Sequence, residues 1–247
     1  MTFLKHEEFQ MSPLALKVAA LALSLYPDDP GIYLEAGAND GVSHSNTYAL
    51  EMSGWTGILV EPSPVAFRLL AKTRPNNVLI EMALADSDAA GESVTGTFSS
   101  GSLTATADQT LFNRDPKKYK FRGLSRLGRW TGRNGHADLE SVPATTLDKV
   151  LLDSGLKQLD LMILDLEGME LDALRGLGEH RPRIVIIETR MKDALSLSDL
   201  LLNMGYVCAG NLSKFNQIDS PIWTGDHQDF GWCQSKDTEA IQELAKL

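Results

Sequence analysis

Two short runs in this chain, LMILDL at 161–166 and RIVIIE at 183–188, are apolar almost from end to end. A strand with one wet face alternates apolar and polar residues, so an unbroken apolar run is expected to be covered on both faces. Runs of strand length fall at Ile32–Ala36, Gly57–Val60, Val78–Glu81, Leu159–Leu164 and Arg183–Ile187. Between and after them, 42–54, 64–74, 169–177 and 197–205 have helical character, the last closing on Gly205 as helices often do. Strands alternating with helices predict an α/β fold, a mostly parallel sheet with helices on both faces.

Two regions depart from that alternation. Residues 91–98, GESVTGTF, alternate like a half-exposed strand, and 99–140 then run polar and Gly/Ser/Arg-rich with no period. Long irregular segments inside a compact domain usually serve function, so 99–140 is expected to be an inserted loop or flap over the mouth of the sheet. Towards the end, YVCAG and PIWTG suggest edge or antiparallel strands, and DTEAIQELAKL a closing helix. Residues 1–30 form an N-terminal helical segment in this reading. Its apolar stretch, PLALKVAALALSLYP, is shorter than the ~20 residues of a spanning helix and carries Lys17, so a packing helix is expected and no membrane span. Glu7 and Glu8 precede it in place of a basic leader. The chain reads as a single domain over 1–247.

A chain of 247 residues with 43% hydrophobic content can bury a sizeable core without a metal or disulfide staple. Cys208 and Cys233 lie outside any Cys-x-x-Cys spacing, which predicts neither a zinc knuckle nor a disulfide framework and favours a reduced, cytoplasmic setting. The net charge of −10 argues against general nucleic-acid binding. Residues 114–133 nevertheless hold eight Lys/Arg and one acid, leaving 15 basic and 32 acidic residues elsewhere, a net of −17. The basic patch is local.

The first strand runs into a small-residue turn, Glu35-Ala36-Gly37-Ala38-Asn39-Asp40-Gly41. A phosphate loop would need Gly-Lys-Ser/Thr, and no lysine follows Gly41. A dinucleotide turn would need a middle glycine, and Glu35 and Asp40 would repel a pyrophosphate. S-adenosylmethionine (SAM) has no phosphate and carries a sulfonium and an ammonium, which an acidic rim attracts. The glycines permit close backbone approach, and Glu35 can favour the ammonium, directly or through water. The second strand ends ILVEP, so Glu61 lies 24 residues after Gly37, where an acid can accept both ribose hydroxyls.

With these pieces in view the chain resembles the FkbM-type SAM-dependent methyltransferases. The matching segments are LEAGANDGVSHSNTYALE (34–51), GWTGILVEPSPVAFRLLAKTRPN (54–76), MALAD (82–86), VPATTLDKVL (142–151) and LDLMILDLEGMELDALRG (159–176). The resemblance implies a Rossmann-like class I methyltransferase fold with a seven-stranded sheet, and O-methylation of a hydroxyl on a sugar, glycan or sugar-containing small molecule. It places Glu35, Gly37, Ala38, Asn39 and Gly41, with Ser45 and Asn46, at the methionine end. It places Glu61 on the ribose with Pro62 and Ser63 beside it, and Ala83 and Leu84 against the adenine. One departure is plain: the family's fourth-strand motif is commonly Lys-Ile-Asp-x-Glu-Gly, whereas here Leu164 stands before Asp165 and the lysine is absent.

Asp165, Glu167 and Glu188 are the candidate catalytic acids, all at strand ends that an open α/β sheet turns towards its ligand. Asp165 and Glu188, at adjacent strand ends, are also candidate ligands for Mg2+, a hard cation that prefers carboxylate oxygen. The alternative is that these acids cap amides or pair with Arg190 or Arg175. In the basic segment, Arg122, Arg126 and Arg129 are candidate forks for an anionic acceptor, with Trp130 a stacking face for a sugar. Two readings compete with the carbohydrate one: a non-catalytic member serving as a binding or scaffold module, and a methyltransferase for a non-carbohydrate hydroxyl.

Overall fold

The computed structural model describes residues 13–43, 45–87, 91, 93–96, 140–156, 158–212 and 227–247. In chain order they form α1 (Pro13–Leu25), β1 (Ile32–Ala36), α2 (Tyr48–Met52), β2 (Thr56–Val60), α3 (Pro64–Thr73), β3 (Val78–Ile80), β4 (Ala83–Leu84) and β5 (Ser93–Gly96). There follow β6 (Glu140–Thr145), α4 (Leu147–Ser154), β7 (Leu161–Leu164), α5 (Glu170–Arg175), β8 (Ile184–Arg190), α6 (Ala194–Asn203), β9 (Tyr206–Asn211), β10 (His227–Gln234) and α7 (Thr238–Ala245).

Seven strands make the main sheet in the order β3-β2-β1-β7-β8-β10-β9. Every pairing among β3, β2, β1, β7 and β8 is parallel, while β10 runs antiparallel to both of its neighbours. This is the Rossmann-like, seven-stranded sheet that the resemblance implies. The chain builds outward from β1 through β2 to β3, then crosses back to place β7 on the other side of β1. Open α/β sheets bind ligands at such a switch point, outside the carboxyl ends of the strands. Here that point lies between the ends of β1 and β7.

The apolar runs form strands because both faces are covered. All four residues of β7 are buried, and Ile184–Ile187 of β8 likewise. Period-two geometry sends Tyr33, Leu59, Leu161, Ile163, Ile184 and Ile186 to one face, where residues of α1, α3 and α7 meet them. Leu34, Ile58, Met162, Leu164, Val185 and Ile187 face the other way, against α4, α5 and α6. The expected packing helix is α1, and Leu14, Val18, Leu21 and Leu25 are its buried face. Among the described residues no helix is long and apolar enough to cross a membrane.

Three departures from the sequence reading have physical causes. The segment 42–54 is helical only over Tyr48–Met52, because side chains from β1 and the end of α3 take up the polar groups of 45–47. A second, three-stranded sheet, β4-β6-β5, stands beside the first around Ala83, Val94, Val142 and Ala144. Glu140, read as the end of the flap, opens β6 instead. Residues 99–139 of the expected flap and the PIWTG segment lie outside the described residues. Near the end, the antiparallel strand is β10, a sequence with too few apolar residues to announce itself.

Gly57 tests this packing. A Cβ there would sit 2.1 Å from Cε2 of Tyr33, its partner on β1. Gly57→Ala is expected to cost about 1–3 kcal/mol by overpacking, read as a lower urea midpoint at an unchanged m-value.

Candidate active site

The glycine turn is shaped by close approach. Gly37 has φ +88°, and a Cβ on it would lie 2.0 Å from the Asp165 carbonyl oxygen, so the turn rests directly on the end of β7. Gly41 has φ +80°, and a Cβ there would strike Leu70 and Arg74 at 2.6 Å. Between them Asn39 adopts φ +50°, a left-handed conformation that asparagine tolerates. The amides of Gly37 and Ala38 donate to the Val60 carbonyl, which ties the turn to β2.

Glu61 ties the turn to the end of β2. One carboxylate oxygen accepts the Asn39 N–H and the other the Ser63 N–H, each at 2.8 Å. Each oxygen keeps further lone-pair capacity, so the carboxylate can still receive a diol while it holds the turn. Pro62 follows it, and Ser63 caps α3 by accepting the Ala66 N–H. Burial pushes the Glu61 carboxyl up from its ordinary value, opposed by these two amides.

Glu35, only 2% exposed, points away from open solvent. Its oxygens accept from the Asn46 N–H at 2.7 Å, the Thr47 hydroxyl at 2.5 Å and the Ser45 hydroxyl at 3.0 Å. The sequence reading set Glu35, Ser45 and Asn46 side by side as pocket residues. The structure joins them, with Glu35 as the anchor of the loop that carries the other two. Burial raises the Glu35 carboxyl, and the donors from Thr47 and Asn46 pull it back.

Arg74 went unnoticed in the sequence, and it is fully buried. Its Nη1 donates to the Gly41 carbonyl at 2.8 Å and the Ser45 hydroxyl at 3.3 Å, and its Nη2 to the Tyr33 hydroxyl at 2.6 Å and the Thr47 hydroxyl at 3.3 Å. Its Nε pairs with Glu51. A lone arginine before proline in LAKTRPN carries no local pattern that would have exposed this role.

Across the switch point stand the predicted acids. Asp165, Glu167 and Glu188 each offer a carboxylate oxygen within 4.8 Å of the others. Adjacent strands β7 and β8 bring Asp165 and Glu188 together, as their positions at the ends of the runs predict. Glu167 has φ +55° and pairs with Arg190 at 2.9 Å, one of the two pairings considered from sequence. Glu170 accepts the amides of Leu166 and Gly168, which fixes the turn that presents the trio. His227 Nε2 lies 3.2 Å from Glu188. Nothing in the sequence around His227 marks it; the antiparallel pairing of β10 with β8 delivers it. Asp229, opposite Glu188 in that ladder, adds another acid.

So many carboxyls in one place resist ionisation together. Burial, then the charges of Glu167 and Asp229, push Asp165 well above the carboxylate range. Burial, then Asp165 and Glu167, push Glu188 up to about 11. The donor set is all hard oxygen, the kind Mg2+ takes and zinc does not favour. Arg190 and His227 already stand on two of the three, so a cation there would have to share Glu167 and Glu188 with them.

Ala83 and Leu84 form β4, buried and paired with Ala144 and Thr145. Arg122, Arg126, Arg129 and Trp130 lie outside the described residues.

The sequence model of the methyltransferase FkbM domain matches residues 35–208. A search of curated proteins finds no match. Among solved structures the chain is similar to a ribosomal protein L11 methylase from Lactobacillus delbrueckii subsp. bulgaricus, at 10% identity and a TM-score of 0.44, with 89% of this chain and 78% of that one covered. It is similar to a TehB-like SAM-dependent methyltransferase from Corynebacterium glutamicum at 11% identity and a TM-score of 0.41, covering 88% and 87%. For the bifunctional kinase-methyltransferase WbdD the values are 14% and 0.43, and the match covers 90% of this chain but 39% of that one.

The clustered carboxyls predict a pH dependence in metal-free buffer. A carboxyl raised from 4.5 to about 11 on folding stabilises fully below 4.5, and that contribution is lost as pH rises through about 11. Urea midpoints measured with EDTA from pH 6 to 10 should therefore fall with pH more steeply in the wild type than in Glu188→Gln. Parallel slopes would mean that Glu188 is ionised throughout.

Proposed function

The chain belongs to the FkbM methyltransferase family, and from that premise we propose that it transfers the methyl group of SAM to a hydroxyl of a sugar, glycan or sugar-containing small molecule. The observation that carries the proposal is the juxtaposition at the switch point: Gly37 of the donor turn rests on Asp165 of the acceptor-side acids. A donor held by the turn and Glu61 would present its sulfonium towards that contact, where the clustered carboxyl oxygens of Asp165, Glu167 and Glu188 favour a cation.

Methyl transfer from a sulfonium is an in-line displacement. The acceptor oxygen forms a bond to the methyl carbon as the carbon–sulfur bond breaks, and the hydroxyl proton must leave. Alignment of the two reactants supplies much of the rate. Asp165 is the acid best placed to take the proton, because its backbone already touches the donor turn. It can do so only as the carboxylate, and its raised pKa makes that carboxylate the stronger base once ionised. Glu188, beside it at the end of β8, is within reach to hydrogen-bond the acceptor or its neighbour. Glu167, tethered by Arg190, orients the turn between them.

The acidic mouth favours a neutral polyhydroxyl over an anionic group at the point of methylation. An anionic portion of the acceptor, such as a phosphate, would belong with Arg122, Arg126 and Arg129, and the sugar face with Trp130. A Mg2+ used by the reaction would be held by Asp165 and Glu188 and would lower the pKa of the acceptor hydroxyl.

Calorimetric titration with S-adenosylhomocysteine tests the donor site. The wild type should bind, and Glu61→Ala should bind on the order of ten- to a hundredfold more weakly, the cost of losing charged hydrogen bonds. A folded wild type that does not bind would sink the methyltransferase reading and leave a scaffold. With a turned-over acceptor in hand, Asp165→Asn should lower kcat by roughly 10²–10⁴ while leaving S-adenosylhomocysteine affinity near wild type. Repeating the titrations with Mg2+, on wild type and Glu188→Gln, shows whether the trio takes the cation.

A further inference from the structure

Most glycine turns of this kind lead straight into a helix, whose first turn holds them in place. Here six residues, 42–47, separate Gly41 from Tyr48, and the helix that follows is five residues long. Something else must fix the turn. Asp40 accepts the amides of Val42 and Ser43 on one carboxylate oxygen, which folds the start of the loop on itself. Glu35 holds 45–47 from the side of β1, and the contacts that reach Gly41 itself come from the end of α3.

We propose that Arg74 is the positioning residue of the donor site, setting the turn Gly37–Gly41 through its grip on Gly41, Ser45 and Thr47. This rests on the SAM-binding reading above. The guanidinium is the only described group that touches the end of the turn, the loop behind it, β1 through Tyr33 and α2 through Glu51. The residue before it helps, since the Thr73 hydroxyl donates to the Asp40 carbonyl at 2.6 Å. The last turn of α3 also presses directly on Gly41, where it leaves no room for a Cβ.

The geometry ties the two halves of the pocket together. Helix α3 is capped at its start by Ser63, whose amide holds Glu61, and ends in Thr73 with Arg74 as its C-cap, and these two hold the turn. At 1.5 Å per residue its ten residues make a strut of about 15 Å. A change at its C-terminal end is therefore felt at the methionine half of the pocket while the ribose half keeps its own anchor. Lysine could keep the charge of Arg74 but not the fork, which places five donors in one plane.

Arg74→Lys tests the assignment, compared with Leu21→Ala, a core truncation in α1 away from the pocket that supplies a control for lost stability. S-adenosylhomocysteine affinity and amide hydrogen exchange of peptides covering 40–48 are the two readouts. Arg74→Lys should bind on the order of tenfold or more weakly and exchange faster in 40–48, while Leu21→Ala keeps wild-type affinity and exchange there. Should Arg74→Lys fail to fold, Tyr33→Phe carries the test, because it removes the hydroxyl to which Arg74 Nη2 donates and leaves the Glu35 contacts in place. Wild-type affinity and exchange in the folded variant, or equal losses in Leu21→Ala, would overturn the proposal. If the wild type itself binds no S-adenosylhomocysteine, the donor-site reading fails, and the exchange comparison alone then decides whether Arg74 sets the turn.

Discussion

Two opposite charges are buried near one another without touching, and the loop residues 45–47 are held between them. Glu35 and Arg74 share the hydroxyls of Ser45 and Thr47, each of which donates to the carboxylate and accepts from the guanidinium. A hydroxyl polarised from both sides makes stronger bonds than one with a single neutral partner. The arrangement also fixes which way each hydroxyl proton points. Arg74 has its direct counter-charge in Glu51, so no charge in the network is left bare. Buried ion pairs give little net stability when complete, yet breaking one by removing a partner typically costs about 3–5 kcal/mol. Such a network specifies one conformation for a loop that has no regular secondary structure to hold it.

The sheet supplies the other half of the arrangement. Reversal of the order in which the chain adds strands leaves β1 and β7 side by side and parallel, and whatever follows each strand must meet its neighbour at the top. The donor turn follows β1 and the acids follow β7. Chemistry is concentrated there because of topology, and the antiparallel β10 adds to it by bringing His227 and Asp229 to the rim from the opposite direction. Burial raises the pKa values of Asp165 and Glu188, and the neighbouring carboxyls raise them further.

How much of this could be read in advance follows from the range of the interactions. The strands β1, β2, β7 and β8 are legible because burial on both faces writes an apolar run into consecutive residues. The acids Glu35, Glu61, Asp165 and Glu188 are legible because each ends such a run. The loop 42–47 was misread as helix because its hydrogen-bond partners, Glu35 and Arg74, sit 10 or more residues away and leave no local mark. The same limit hid β6, whose Pro143 argues against a strand until its antiparallel partner β5 is seen. It hid β10 as well, a strand with His, Gln, Asp and Gly that exists because β8 and β9 each offer it an edge.

The placement of β1 at the centre of the sheet has a consequence for biosynthesis. Tyr33 pairs with Leu161, so the edge of β1 that β7 will cover stays open while the intervening chain is made. At typical rates of about 5–20 residues per second, that interval lasts roughly 6–25 seconds. During it, a nascent chain displays an apolar strand with unpaired backbone groups, the kind of edge that recruits other strands. Production of this protein should therefore be most sensitive to crowded ribosomes and to chaperone supply before β7 emerges, and a chain truncated between β3 and β7 would aggregate rather than fold to half a pocket.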